Sequence, residues 1–311
     1  MMTSGKLAEL SGYILSGDPE IEIYGICYAY APQPGKVVVA MTTKQAKETE
    51  SDLILTEGTP LSFGKNFLYA DDNINMALVK VAKILAAQGT CINHLKRSDD
   101  LVMSGGAMIS SGATIGNNTT IGAFTVIHTG AVIGSSCHIG NNVTIGSDTI
   151  IGDNTTIGDG SRISTDSVFH YYDDGYVHFP GISRTIIGAN VFIGSNAVIQ
   201  RGTIQDTIIS DGCVVGDLVD IGHDCEISEN CRIVSQCGIS GNVRIGSNSV
   251  IFGQSGIQNF VRIGENVVVK GRTIIPKDIP DGMTVSGQFG RSNIEELRLQ
   301  SEIRKLFNER K

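Results

Sequence analysis

The chain has 311 residues and no Trp, and its 24 Lys and Arg against 32 Asp and Glu give a net charge of -8. That acidic balance argues against a nucleic acid as partner, and no apolar stretch reaches the roughly eighteen residues of a membrane span. The start, Met1-Met2-Thr3-Ser4-Gly5-Lys6-Leu7, lacks the basic segment and apolar run of a secretory leader, so a cytoplasmic location is expected.

Residues 1–88 read as a small α/β domain. Ile21-Glu22-Ile23-Tyr24 alternates as a strand, Pro32 to Gly35 is a turn, and Val37-Val38-Val39 and Leu53-Ile54-Leu55 read as buried strands. Asn75 to Ala87 is helical, with Ala77, Leu78, Val81, Ile84 and Leu85 on its apolar side. A polar linker over 89–104 follows.

A different rule governs residues 105–285. Isoleucines recur every six residues from Ile109 through Ile163, resume at Ile187, Ile193 and Ile199, shift phase, and run as Ile or Val from Ile209 to Ile275. Neither a helix period of 3.6 nor a strand period of 2 produces that spacing. The residue two before each aliphatic is small, as at Ala113, Thr119 and Cys137, and Gly with Asn or Asp recurs behind it, as in Ile115-Gly116-Asn117-Asn118. One inward aliphatic, one inward small residue and a tight corner make a hexapeptide β-helix repeat. Three rungs close a triangular coil of eighteen residues, so residues eighteen apart touch. Cys137, Cys213, Cys225, Cys231 and Cys237 occupy the inward small position and read as small buried hydrophobes rather than metal or redox groups.

The beat is broken by an inserted loop over 164–186, which holds the densest aromatic cluster of the chain, Phe169 to Pro180. A long excursion from a solenoid points to function or to packing on a neighbouring subunit. Residues 286–311 form a C-terminal helical segment, expected as a charged amphipathic helix from Ser292 with Glu295 and Glu296 in its first turn and Leu299, Ile303 and Leu306 on one face, packed on the prism or its symmetry mates.

A prism filled with isoleucine has no internal cavity, so its chemistry must lie outside, at corners and between prisms; a triangular section favours a homotrimer. Of the six histidines, His94 lies in the linker, His138 on an outward strand position, His128 at a corner, and His170 and His178 in the aromatic loop. His223 sits at an outward turn with the carboxylates of Asp220 and Asp224 close by, and one coil onward lies Gly241. A base beside a glycine amide suits acyl transfer: the imidazole takes a proton from the nucleophile and the amide holds the oxyanion.

The segments Phe169 to Pro180, Arg184 to Gly188, Arg201-Gly202, Asp206 to Ile209 and Asp217 to His223 resemble the UDP-3-O-(3-hydroxyacyl)glucosamine N-acyltransferases of lipid A synthesis. The likeness runs over nearly the whole chain, including Leu7 to Leu10, Gly17-Asp18, Asn75 to Leu85 and the last helix, whereas Ile279-Pro280-Asp281-Gly282 is common to many hexapeptide acyltransferases. The resemblance implies a left-handed coil and a homotrimer. It implies His223 as general base, the Gly241 amide as oxyanion donor, and Asp220 and Asp224 in support. Phe169, Tyr171, Tyr172, Arg201 and Asp217 are implied as substrate-binding, and Phe260, Arg272 and Ile274 as lining an acyl or pantetheine groove. The implied acceptor is a nucleotide-linked amino sugar. The donor is an acyl thioester of acyl carrier protein or CoA, with no bound cofactor and no metal.

Four departures are visible. The stretch that grips uridine in that family carries aromatic rings, where this chain has Val39 to Gln45; a lost base stack is worth roughly 1–3 kcal/mol. Phe260 replaces a second histidine, Gly216 replaces an Asp, and Arg272, Thr273 and Ile274 stand where the family is apolar. A guanidinium in a lipid groove is costly. These departures leave room for a CoA-dependent N-acetyl- or N-acyltransferase of a dTDP- or UDP-deoxyamino sugar. Two further classes stay open: a noncatalytic β-helix assembly protein, and a metalloenzyme needing three convergent histidines.

Overall fold

A computed structural model describes residues 2–29, 32–58, 65–71, 73–87, 102–172, 174–287 and 292–308. His94, most of the expected linker and Glu309 to Lys311 lie outside the described residues.

The N-terminal domain is a five-stranded sheet in the order Ile14–Ser16, Phe67–Ala70, Leu53–Glu57, Lys36–Val39, Gly25–Tyr28. The first pair is antiparallel and the rest parallel. Three helices accompany it: α1 (Ser4–Ser11), α2 (Thr43–Glu48) and α3 (Ile74–Ala87). Helix α3 buries Ala77, Leu78, Val81 and Leu85, the side its periodicity marks. Helix α1 opens on Thr3, whose hydroxyl accepts from the Lys6 amide, and ends at Gly12 with φ +72°, the left-handed stop that glycine takes without strain.

From Val102 to Val285 the chain winds as a left-handed parallel β-helix with three flat faces, sheets of eight, nine and ten strands. Ten strands at about 4.8 Å spacing give a prism roughly 45 Å long. Its register is the six-residue beat seen end-on. Ile115 pairs with Ile133, Ile133 with Ile151, Ile151 with Ile187 and Ile187 with Ile209, so this ladder stacks identical side chains. The inward isoleucines are fully buried in one continuous core.

The inward small position does more than fill space. Thr119 and Thr125 donate their hydroxyls to the carbonyls of Gly134 and Gly140, both at 2.7 Å. Cys213, Cys225 and Cys231 point their thiols the same way, at Ser228, Ser240 and Gly246 carbonyls, all at 3.1 Å. A cysteine here stands in for a threonine, and burial pushes the Cys225 thiol up to about 12, out of reach of thiolate chemistry.

The corners explain the recurring asparagines. The third residue of most corners takes a left-handed backbone, as at Asn118, Asn142, Asn154, Asn190, Asn230, Asn242, Asn248 and Asp224. Asn and Asp are the non-glycine residues that tolerate this region best.

Two insertions interrupt the coil, and both leave from the edge that joins the nine-stranded face to the eight-stranded one. The longer carries an antiparallel hairpin, His170–Tyr172 against Tyr176–His178. The shorter, Arg201 to Gln205, explains the phase shift before Ile209. Phe179 and Ile204 from these insertions belong to the core of the N-terminal domain, with Phe169, Val177 and Ile182 packed against it. Arg184 fixes the joint, its amide and Nη2 donating to Asp206 at 2.9 and 2.8 Å.

Helix α4 (Asn293–Asn308) opens on a capping box: Ser292 Oγ accepts from the Glu295 amide at 3.3 Å, and the Ser292 amide donates back to Glu295 Oε2 at 2.9 Å. Leu299 and Ile303 remain exposed, so of the two expected places for this helix the prism of the same chain does not cover them.

Candidate active site

Every irregularity of the coil gathers on one edge. Corner residues Gly222, His223 and Asp224 lie there, followed one coil on by Ser240, Gly241 and Asn242 and then by Gln258, Asn259 and Phe260. A groove of about 720 Å³ runs beside them, walled by Phe169 and His170 of the hairpin and floored by Asp220, Gly238, Gly256 and Ile274. These four are successive outward positions on the nine-stranded face. A Cβ on Gly238 or Gly256 would meet nothing within 4 Å, so the two glycines leave a side-chain-free floor.

His223 was expected to project into solvent; it is instead 8% exposed, because the Phe169 ring packs on it with centroids 5.4 Å apart. Its Nδ1 lies 2.7 Å from Asp224 Oδ2. The Asp224 carboxylate is held harder than any other on this edge. Its Oδ1 accepts the amides of Thr203, Ile204 and Gln205 at 3.0, 2.9 and 2.8 Å, and its Oδ2 takes the Thr203 hydroxyl. Three successive amides converging on one oxygen form an anion nest, a cradle for a carboxylate. Nδ1–H therefore donates to Asp224, and Nε2 is left with its lone pair. The nest lies within the shorter insertion. Asp224 meets two demands at once, a left-handed corner with φ +59° and a partner for the imidazole.

Gly241 lies against the other side of the imidazole. A Cβ on it would come within 2.5 Å of His223 Nε2, so only glycine permits this approach. Among the described residues no acceptor takes the Gly241 N–H. At several other corners the equivalent amide is capped by a side chain one coil on, as Ser195 is by Asp217 at 2.7 Å and Ser135 by Asp153 at 2.6 Å. Base and unspent donor thus face one groove.

The remaining predicted residues divide by edge. Tyr171 and Tyr172 lie on the hairpin, with Tyr172 stacked edge-on to Tyr176 at 5.4 Å. Arg201 Nε donates to the Ser183 carbonyl at 2.8 Å and pins the hairpin's return. Phe260, at the corner two coils after His223, is exposed. Ile274 is exposed at the far end of the groove floor. Asp217 and Arg272 are not brought together with His223 in the single chain. They occupy the edge between the ten- and nine-stranded faces, Asp217 capping Ser195 and Arg272 Nε donating to Gln254 at 2.6 Å. Asp220 forms no ion pair with His223; it faces the groove three residues upstream. Burial pushes its carboxyl above the usual Asp range, partly offset by a hydrogen bond from the Gln200 side chain. Thr203, Gln205 and Gln200 escaped sequence reasoning; the phase shift before Ile209 was the available signal.

In the N-terminal domain, the stretch from Val39 to Gln45 presents Thr42, whose hydroxyl accepts from the Gln45 amide at 3.2 Å to cap α2, and an exposed Met41, with no aromatic ring. Among the described residues no three His, Cys, Asp or Glu converge on a metal-sized site, and no helix is long and apolar enough to cross a membrane.

Comparison with known proteins agrees with this architecture. The bacterial transferase hexapeptide repeat matches residues 130–165, and the hexapeptide repeat of succinyl-transferase matches 112–147 and 184–216. UDP-3-O-acylglucosamine N-acyltransferases of Dechloromonas aromatica and Methylobacillus flagellatus are 39% and 40% identical to this chain over 67 residues, 22% of this chain and 19% of theirs. The match thus spans about a fifth of the length of these relatives. Among solved structures, the UDP-N-acetylglucosamine acyltransferase of Francisella novicida aligns with TM-score 0.52 and 26% identity over 66% of this chain and 73% of that one. That of Campylobacter jejuni aligns with TM-score 0.51 and 23% identity over 65% and 81%. The chain thus carries hexapeptide repeats similar to those of bacterial transferases within residues 112–165 and 184–216, and it folds as a left-handed β-helix like that of the Francisella novicida acyltransferase.

Proposed function

We propose that this protein transfers an acyl group from a thioester to the amine of a nucleotide-linked amino sugar. The observation that carries the reading is the pairing, across one groove, of an Asp-oriented imidazole with an unspent glycine amide. His223 Nε2 takes a proton from the amine as its nitrogen attacks the thioester carbonyl. The carbonyl oxygen gains its charge beside the Gly241 N–H. Collapse breaks the C–S bond, and the thiolate leaves with the proton held on the imidazolium. Asp224 keeps the imidazole in the right tautomer and stabilises its charged form. The named relatives act on UDP-linked glucosamine derivatives, which supports a nucleotide sugar as acceptor.

The donor is an acyl thioester of acyl carrier protein or CoA, and the working unit is a homotrimer. Support for the assembly comes from the groove, open along one side and flanked by exposed Val168, Phe260 and Ile274, apolar surface that a second copy would cover. One observation favours a short acyl group and hence the CoA-dependent reading: after the bare floor of Gly238 and Gly256, Ile274 fills the next outward position and ends the trough.

The test is thiol release with acetyl-CoA and 3-hydroxyacyl carrier protein, each offered UDP-3-O-acylglucosamine or a deoxyamino-sugar nucleotide. His223→Ala is expected to lower turnover at least about a hundredfold without loss of assembly. Near-normal turnover in that variant would remove His223 as the base.

A further inference from the structure

The groove holds an acceptor that the proton transfers above do not use. Asp220 lines it three residues before His223, exposed on the outward side of the nine-stranded face. Among the described residues it forms no ion pair, and the neutral Gln200 side chain beside it in the groove favours its charged form. Gln200 is itself 6% exposed and lines the same groove. Its Oε1 is buried with no partner among the described residues. A buried acceptor left unsatisfied is costly. Two acceptors, one of them charged, therefore stand beside the base with no cation to match them.

On the reading of the site as an acyltransferase, we propose that Asp220, beside Gln200, selects a cationic amine over a hydroxyl as the acyl acceptor. An ammonium entering the groove makes a charge-assisted hydrogen bond to the Asp220 carboxylate; a hydroxyl brings no charge to match it. The ammonium sheds one proton to solvent before attack, and His223 takes the second as the C–N bond forms and the C–S bond breaks. Asp220 stays a carboxylate throughout and acts as a positioning residue. Both acceptor chemistries occur on this fold, since the relatives include N-acyltransferases of an amino sugar and acyltransferases of UDP-N-acetylglucosamine.

The test uses the full chain with an acyl thioester and two acceptors, UDP-3-O-acylglucosamine for the amine and UDP-N-acetylglucosamine for the hydroxyl. Asp220→Asn is expected to lower kcat/KM for the amine about 10- to 100-fold, the worth of a charge-assisted hydrogen bond, mainly through KM. It should change kcat/KM for the hydroxyl acceptor less than threefold, and Asp220→Glu should restore part of the preference. Asp220 is an outward residue, and Asp220→Ser gives a second variant should the Asn form prove unstable. An unchanged amine-to-hydroxyl ratio in both variants, with His223→Ala still inactive, overturns the selection and leaves the acyltransferase reading standing. Absence of thiol release from the wild-type protein with either acceptor and any donor removes the reading and this inference together.

Discussion

Replacing Gly241 with alanine separates chemistry from folding. The backbone at Gly241 lies outside the left-handed region, so alanine costs no strain there. The added Cβ would stand 2.5 Å from His223 Nε2 and 2.6 Å from Cε1. Reaching ordinary contact moves the imidazole by about 1 Å. It cannot retreat freely: Phe169 covers one face, and its Nδ1 is tied to Asp224 at 2.7 Å. A 1 Å error in a reacting group costs about a hundredfold in rate, or roughly 2.7 kcal/mol of barrier. Folding should suffer far less, since only the imidazole must move. Thiol release and thermal melting, measured in parallel, should show turnover falling about a hundredfold while Tm shifts by no more than a few degrees. Gly238→Ala is the matched control, because its Cβ meets nothing within 4 Å. Turnover of Gly241→Ala within threefold of wild type would refute the placement of base and oxyanion donor on this edge.

Asp224→Asn should lower turnover at least about a hundredfold by favouring the wrong imidazole tautomer. Asp224→Ala, which strands the amides of Thr203, Ile204 and Gln205, should destabilise by on the order of 3–5 kcal/mol in denaturant melts. Asp206 governs acid stability: burial pushes its carboxyl up, but hydrogen bonds from Arg184 outweigh this and hold it below the usual Asp range. Stability from that depressed value is present above the ordinary carboxylate pKa and lost as pH falls through the folded one. Asp206→Asn should therefore flatten the acid limb of a Tm-against-pH curve below about pH 4, and an unchanged limb would contradict this.

The prism was legible because its signal is redundant. Each isoleucine repeats its neighbour's message, and stacking turns a six-residue beat directly into register, so Ile109 to Ile163 named the faces without ambiguity. The cysteines were legible for the same reason, each occupying a position already defined by Ala or Thr. Helices α1 and α2 and the strands Ile14–Ser16 and Phe67–Ala70 were not legible. They are three to eight residues long, too short to show a period, and packing on α3 and the neighbouring strands decides them. At the site, coil arithmetic alone put Gly241 beside His223. Spacing could not show that His223 is buried, because the Phe169 that covers it arrives from an insertion more than fifty residues upstream. Asp217 and Arg272 stand one and eight rungs from His223 with no insertion between, so the same arithmetic puts both on another edge, whereas assigning an edge across 164–209 depends on counting the insertions correctly.

That dependence shows how a structural repeat acquires chemistry. A strictly periodic prism presents three equivalent edges, and none has reason to bind anything. Here the eighteen-residue rule is broken twice, both times on one edge, and each break supplies what periodicity cannot. The longer insertion brings an aromatic ring over the imidazole and anchors itself in the N-terminal domain through Phe179. The shorter brings three amides to Asp224 and anchors through Ile204. The N-terminal domain thus fixes the pieces that bury and orient the His223 imidazole. Weakening that joint at Phe179 or Ile204 should lower turnover while leaving the isoleucine ladders of the prism intact.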